Sequence, residues 1–331
     1  MGFERQLPYQ FFWETSYVGA VSRHLYQTLD LNPIVNAATG VRFQPQVGPR
    51  TVRAASANSN YESLQLNLKR AFKPTPVGLV QFEGSYTYSH FLDDVSDVFG
   101  FDSTASPFQQ VPQVLGLPGF GRHAEYGNSD FDRRHVGVLS LLLTPRAPKS
   151  GILGGMFGGW TLGGISHWQT GLPFTVRNGT DRGGFGQATA ERPDISNSAA
   201  PLNTRAIIKT SCATGFGNPD LAGTPCVDPN TVHWIQGSGL PNARTVGRNT
   251  LRAPGVDNLD ISIAKRFRFT EKTGLEFRAD MFNALNTTNL GFDTSTFVPR
   301  TVRGSLAGQF LDFGQTDSIG RSMRVRAKFD W

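Results

Sequence analysis

The sequence predicts an all-β chain, an antiparallel transmembrane β-barrel sector of about eight strands with long extracellular loops. Three observations predict it. Apolar and polar residues alternate with period two through several segments; the links between those segments alternate between short and long; and the composition suits strands and turns better than helices.

Composition sets the bounds. Gly 37 and Pro 20 among 331 residues exceed the usual combined share of about 12%, while charged residues make 18% where about 25% is usual. Aromatics at 11%, with Phe 25 against Met 4, push the same way, because rings pack well on a pleated surface. Collagen, coiled coil and plain disorder are excluded. No stretch approaches the roughly 20 apolar residues a membrane helix needs; the longest run, Val136 to Leu143, is interrupted by Gly137 and Ser140. A membrane barrel stays open. The opening Met1-Gly-Phe-Glu-Arg-Gln-Leu-Pro8 has no basic segment followed by an apolar one, so no export signal is expected there, and the chain is either cytosolic or lacks its beginning. Net charge is +6, with 25 Arg and 7 Lys. These are scattered rather than gathered in a patch, so nucleic acid is not an expected partner.

Taken in order, Tyr9, Phe11, Trp13 and Tyr17 begin the series of strands. Leu64, Leu66 and Leu68 alternate with Ser63, Gln65, Asn67 and Lys69; across a Lys73-Pro-Thr-Pro76 turn, Val80, Phe82, Tyr86 and Tyr88 alternate with Gln81, Glu83, Ser85 and Thr87. Val136 to Thr144 is more uniformly apolar and reads as a buried strand. Trp160, Leu162, Gly164, Trp168, Leu172, Phe174 and Val176 alternate with Thr161, Gly163, His167, Gln169, Thr175 and Arg177. Leu259, Ile261, Ile263, Phe267 and Phe269 share a face interrupted by Lys265, and a turn at Thr270 to Gly274 leads into Leu275, Phe277, Ala279 and Met281, which makes a hairpin. The final segment is the most regular. Met323, Val325, Ala327, Phe329 and Trp331 alternate without exception with Arg324, Arg326, Lys328 and Asp330. Such a strand has one apolar and one wet face, as the closing strand of a barrel needs with lipid outside and a watery lumen inside.

Short links at about 73 to 77, 145 to 158 and 270 to 274 alternate with long ones at about 22 to 60, 90 to 133, 178 to 257 and 286 to 320. Outer-membrane barrels have this asymmetry between periplasmic turns and extracellular loops, whereas structureless loops of such length fit poorly in a compact soluble domain. The arrangement puts Phe72, Trp160, Phe267, Phe269 and Trp331 near the periplasmic interface and Tyr17, Tyr86, Tyr88 and Trp168 near the other, two aromatic girdles.

Several stretches then resemble one family. Gln6-Leu-Pro8 with Tyr17-Val-Gly19, Asn60-Tyr-Glu-Ser-Leu-Gln65, Ser85-Tyr-Thr-Tyr-Ser89, Asp130-Phe-Asp-Arg-Arg-His135, Gly159-Trp160 with Gln169-Thr-Gly-Leu-Pro-Phe174, Gly247-Arg-Asn249 with Pro254-Gly255, Phe277-Arg-Ala-Asp-Met-Phe-Asn-Ala-Leu-Asn286 and Phe329-Asp-Trp331 look like the C-terminal barrel half of Oar-like TonB-dependent outer-membrane receptors. The similarity runs over essentially the whole chain. It implies a barrel of about 22 strands, plugged by an N-terminal domain and energised by TonB from the inner membrane of a Gram-negative bacterium. Residues 1–331 would then be the C-terminal part of that barrel, without plug, signal peptide or box for TonB, either a fragment or a truncated gene model. Expected partners are outer-membrane lipid, the barrel-assembly machinery, and the TonB system only through the missing plug.

Candidate chemistry is thin, and neither an enzyme nor a cofactor is expected. Asp93, Asp94, Asp97 and Asp102 share a long loop, but their spacing matches no calcium loop; solvated acids are the expectation. His135 follows Asp132, Arg133 and Arg134 with no nucleophile motif nearby, so a rim hydrogen-bond cluster is expected rather than catalysis. Gly151, Gly154, Gly155, Gly158 and Gly159 lack a phosphate-loop Lys and are expected to be a flexible turn. Cys212 and Cys226 lie in a Gly-, Pro- and Asn-rich stretch between the fifth and sixth strands. A loop disulfide is the expected arrangement, with zinc ligation and free thiols as alternatives. Arg266, Arg268, Arg278, Asp280, Arg324, Arg326 and Lys328 fall on the wet, lumen-facing side of the last three strands, as ladder pairs or as a path for an anion. Phe329 and Trp331 either form a signal for barrel assembly or anchor the strand at the interface. Two function classes remain: a barrel component of an outer-membrane receptor or transporter, which takes up a scarce ligand or exports or presents protein, and a soluble β-rich adhesive or carbohydrate-binding protein.

Overall fold

The computed structural model describes residues 1–32, 34–36, 39–96, 125–148, 151–176, 192–206, 229–235, 244–270, 272–291, 315–316 and 320–331. Nine strands form the main wall: β1 (Gly2–Leu7), β2 (Phe11–Asp30), β3 (Thr51–Thr75), β4 (Gly78–Asp93), β5 (His135–Pro145), β6 (Trp160–Gln169), β7 (Val256–Arg268), β8 (Gly274–Phe282) and β9 (Ser322–Asp330). Each pairs antiparallel with the next in sequence, so the wall is a meander with β1 and β9 at the ends of its order. A two-residue strand, Gly127–Asn128, joins the end of β4.

Register explains the alternation. Ile261, Ile263, Lys265 and Phe267 of β7 lie opposite Met281, Ala279, Phe277 and Leu275 of β8, and these lie opposite Met323, Val325, Ala327 and Phe329 of β9. A two-residue period keeps all of them on one face and sends Arg266, Arg278, Asp280, Arg324, Arg326 and Lys328 to the other. The apolar face continues across the wall through Leu64, Leu66 and Leu68 of β3, Tyr88, Tyr86 and Phe82 of β4, Leu139 and Leu141 of β5, and Trp168 of β6. It is not a core. Leu141 is 44% exposed, so the uniformly apolar segment Val136 to Thr144 is not the buried strand expected, and Val325 is 64% exposed. Among the described residues the buried hydrophobic cluster is Phe174, Val176, Trp234 and Val246, with Ile195 and Leu251 against it, and it lies in the loops.

Four features depart from the expectations above. The wall has a ninth long strand, β1, joined to β2 by a short turn at Pro8–Gln10 in which Tyr9 and Gln10 adopt left-handed φ of 59° and 66°. Tyr9 therefore sits in a turn, and Arg5 on the parity of Phe3 and Leu7 hides the strand's alternation. Second, the expected loop from 22 to 60 is largely strand, because β2 runs to Asp30 and β3 starts at Thr51. These strands of 20 and 25 residues outreach the about 9–11 residues that cross a bilayer, and beyond it no apolar face is required, so no pattern marks them. Third, β6 ends at Gln169; Pro173 and Phe174 leave the wall to pair with Arg252 and Leu251.

Fourth, the glycine-rich link between β5 and β6 holds a helix, α1 (Gly151–Phe157). Glycines disfavour helix by about 1 kcal/mol each, so tertiary contacts must hold it. The Lys265 ammonium donates to the carbonyls of Gly155 at 2.8 Å, Met156 at 2.9 Å, and Gly158, and the Trp160 indole donates to that of Met156 at 2.9 Å. A cation on the last carbonyls of a helix opposes its dipole. Lys265 interrupts the apolar face of β7 because it serves this cap.

Candidate functional site

The wall and its loops bring charged residues together in two places. The first is the charged face of β7 to β9. Asp280 is buried; its carboxylate accepts from Arg278 Nε at 2.7 Å, Arg324 Nη2 at 3.3 Å and Arg326 Nη2 at 3.1 Å. Register makes the cluster, since Asp280 faces Arg324 and Arg278 faces Arg326 on adjacent rungs. Nearer the short-link end, Asp330 accepts from Arg266 at 2.9 Å and pairs with Lys328 at 2.8 Å. Glu276 stands between Arg266 and Lys328 in the register, and Arg268 lies opposite Gly274. All seven charged residues singled out from the sequence thus share one face. Six basic groups there, Arg266, Arg268, Arg278, Arg324, Arg326 and Lys328, meet four acidic ones, Asp260, Glu276, Asp280 and Asp330, which leaves a basic surplus.

The second place is the long-loop end. Asp132 is buried beneath the loops; its carboxylate accepts from the Phe91 backbone N–H at 2.8 Å, from Arg134 at 3.0 Å and from Arg252. His135 turns away from this cluster to Tyr86, whose hydroxyl is 2.8 Å from Nδ1, and packs beside Tyr88. Arg248 is buried and donates to the Glu125 carbonyl at 2.9 Å, to Ser96 Oγ at 3.2 Å and to the Asp93 carboxylate. Glu125 in turn pairs with Arg192 at 2.6 Å. Asn249, at a left-handed φ of 53° that Asn tolerates, donates to the Asn128 carbonyl at 2.8 Å and Asp130 at 2.6 Å, and accepts from Thr175 Oγ1 at 2.9 Å. Arg248 and Asn249 stand out in the sequence only through the Gly247-Arg-Asn249 resemblance; their glycine neighbour in a polar loop is the one local signal for a tight turn. Together these bonds tie the segments after β4, before β5 and before β7 to one another.

Of the acids expected to be solvated, Asp93 and Asp94 are instead buried, because each is held by partners at the loop bases. Asp93 holds Arg248 and Ser96, and Asp94 accepts from the backbone and side chain of Asn58 at 2.7 and 3.2 Å. Asp97 and Asp102 lie outside the described residues, as do Cys212 and Cys226. Phe329 and Trp331 stack with ring centroids 6.1 Å apart.

A family model described as an outer membrane beta barrel domain matches residues 1–325. No curated protein matches the sequence. Among solved structures, the outer membrane transporter YddB from Escherichia coli is similar, with 9% identity and a TM-score of 0.46 over 100% of this chain and 32% of that one. The chain therefore spans about a third of that protein's length.

Proposed function

Because this chain belongs to the outer membrane β-barrel domain family, and so resides in the cell outer membrane, we propose that it forms part of the barrel wall of an Oar-like, TonB-dependent receptor or transporter. One observation carries the barrel-wall part of this reading, and the resemblance of the stretches quoted above supports its receptor part: a continuous apolar face, exposed along the wall, backs a face that on β7 to β9 bears paired charges with a basic surplus. A soluble sheet would have to cover so large an apolar patch, whereas lipid covers it in a barrel. The apolar face is then the lipid-facing one, the charged face lines a water-filled lumen, and the short links are periplasmic. Family membership sets aside the soluble, adhesive reading.

In this wall the lumen charges bind and steer. Asp280 holds three arginines in place, and the basic surplus raises the local concentration of anionic solutes. Opposite the short links, the network around Arg248, Asp132 and Asn249 fixes the bases of the extracellular loops, where a ligand is first met. The nine strands form one sector, and the remaining strands and a plug belong to the parent receptor. Energy reaches the barrel through that plug, so passage depends on TonB.

The test is to read the gene in frame upstream of Met1, then purify the encoded protein from outer membranes with the periplasmic domain of TonB. A plug with a TonB-binding segment, and co-purification lost when that segment is deleted, is the expected result. A protein that has no plug and never retains TonB would overturn the receptor assignment and leave only a barrel.

A further inference from the structure

Helix α1 and the wall beneath it flank an open, shallow groove of about 690 Å³ at the short-link end, lined chiefly by Ile152, Met156, Trp160, Lys265, Phe267 and Phe277. Three of its aromatic walls, Trp160, Phe267 and Phe277, come from the apolar face of the wall. The helix adds Ile152 and Met156, each more than half exposed.

Lys265 decides what kind of molecule fits. An ammonium has three donors, and the carbonyls of Gly155, Met156 and Gly158 take them. Its charge is further occupied over the rings of Trp160 and Phe267, at 5.0 and 5.3 Å. Among the described residues the groove therefore offers no free cation to a phosphate, only rings, aliphatic side chains and the lysine's methylenes. A chain of CH₂ groups is the matching ligand, because such a surface stabilises apolar contact and offers nothing to a charge.

Resting on the lipid-facing reading above, we propose that this groove holds an acyl chain of a phospholipid from the periplasmic leaflet, with α1 lying in the interface as its lid and Lys265 as the latch that positions α1. The groove is continuous with the lipid-facing wall and opens at the periplasmic rim, which is why a leaflet phospholipid is its occupant. An interfacial segment that presents apolar side chains in this way also anchors the rim.

The experiment uses the full-length protein in cells fed a fatty acid with a photoreactive group in its chain, followed by irradiation and peptide mapping of the outer-membrane fraction. Labelling severalfold stronger at Met156 and Phe277 than at the mid-wall residues Leu141 and Ile263 is expected. Gly155→Trp, which plugs the groove at a position where an added side chain meets open space, should reduce labelling at Phe277 to the mid-wall level while Leu141 and Ile263 stay unchanged. Lys265→Met should lose the same excess. Equal labelling at all four positions, or an excess that survives Gly155→Trp, would overturn the site alone. Absence of labelling at Leu141 and Ile263 as well would instead overturn the assignment of the lipid-facing side. A phospholipid photoreactive only in its headgroup should label neither Met156 nor Phe277; strong labelling there would show that the groove reads headgroups and that the acyl-chain proposal is wrong.

Discussion

Trp168 lies across Gly137. The two residues face each other in the pairing of β5 with β6, and a Cβ placed on Gly137 would fall within the indole. Tyr86, opposite Gly137 on β4, brings its ring to 5.7 Å from that of Trp168. The glycine thus makes room for an aromatic shelf at the long-loop end of the apolar face, where Tyr17 and Tyr88 also stand. An aromatic that covers a glycine on a neighbouring strand also pins the register.

Gly137→Ala should therefore destabilise the wall by about 1–3 kcal/mol, the usual cost of overpacking. With Trp168→Ala as background the same substitution should cost much less, because the ring it displaces is gone. Urea unfolding of the four proteins of this cycle in lipid vesicles gives the coupling. Additive effects would show that the ring does not rest on the glycine.

Ile261→Arg, on the apolar face, should cost about 2–4 kcal/mol if the position lies near the bilayer midplane. Its neighbour Ser262 faces the other way, between Gly163 and Asp280 in the register, and Ser262→Arg should be nearly neutral. Heat resistance of the folded band in detergent gels, read at both positions, makes the comparison. Equal losses would mean that the two faces have been assigned wrongly.

How much of this was legible in the sequence follows from what water and lipid impose. Where a strand separates the two, alternation is compulsory, and so the strand segments around Leu66, Tyr86, Ile261, Phe277 and Val325 lie where the period placed them, as do the seven charged residues from Arg266 to Lys328. Above the membrane both faces of β2 and β3 are wet, and small polar residues such as Ser56, Asn58 and Ser59 carry no period. Helix α1 was illegible for a different reason. Its local sequence disfavours a helix, and the cap that holds it comes from Lys265, over a hundred residues away. The loop network was half visible: Asp132 and Arg134 are two residues apart in sequence, but Arg248 and Arg252 reach their acids only through the fold.

Arg248 and Asp93 are each almost fully removed from solvent, so breaking this pair strands a buried charge, at about 3–5 kcal/mol. Arg248→Met should loosen the loops without unseating the wall. External protease added to whole cells should then cut between β4 and β5 and between β6 and β7, while the heat resistance of the wall is retained. Arg248→Lys should not restore protection, because a single ammonium cannot reproduce a guanidinium fork that reaches Glu125, Ser96 and Asp93 together. Full protection in the lysine variant would show that charge alone suffices there.

The arginines around Asp280 are unequal partners to it. Each is about half exposed, whereas Asp280 is the acid shared by all three. Removing Arg324 or Arg326 singly breaks one screened contact, the kind that contributes about 0–1 kcal/mol, and leaves the carboxylate two others. Removing the acid leaves three cations on adjacent rungs of β8 and β9 with nothing between them. Asp280→Asn should therefore lower the urea midpoint more than Arg324→Gln or Arg326→Gln, and the deficit should shrink in high salt, which screens the repulsion among the arginines. The triple replacement of Arg278, Arg324 and Arg326 by Gln in the Asp280→Asn background should recover much of the loss and remove the basic surplus at this level of the charged face. If Asp280→Asn is no worse than a single arginine substitution and is indifferent to salt, Asp280 is not the hub that holds these charges on one face.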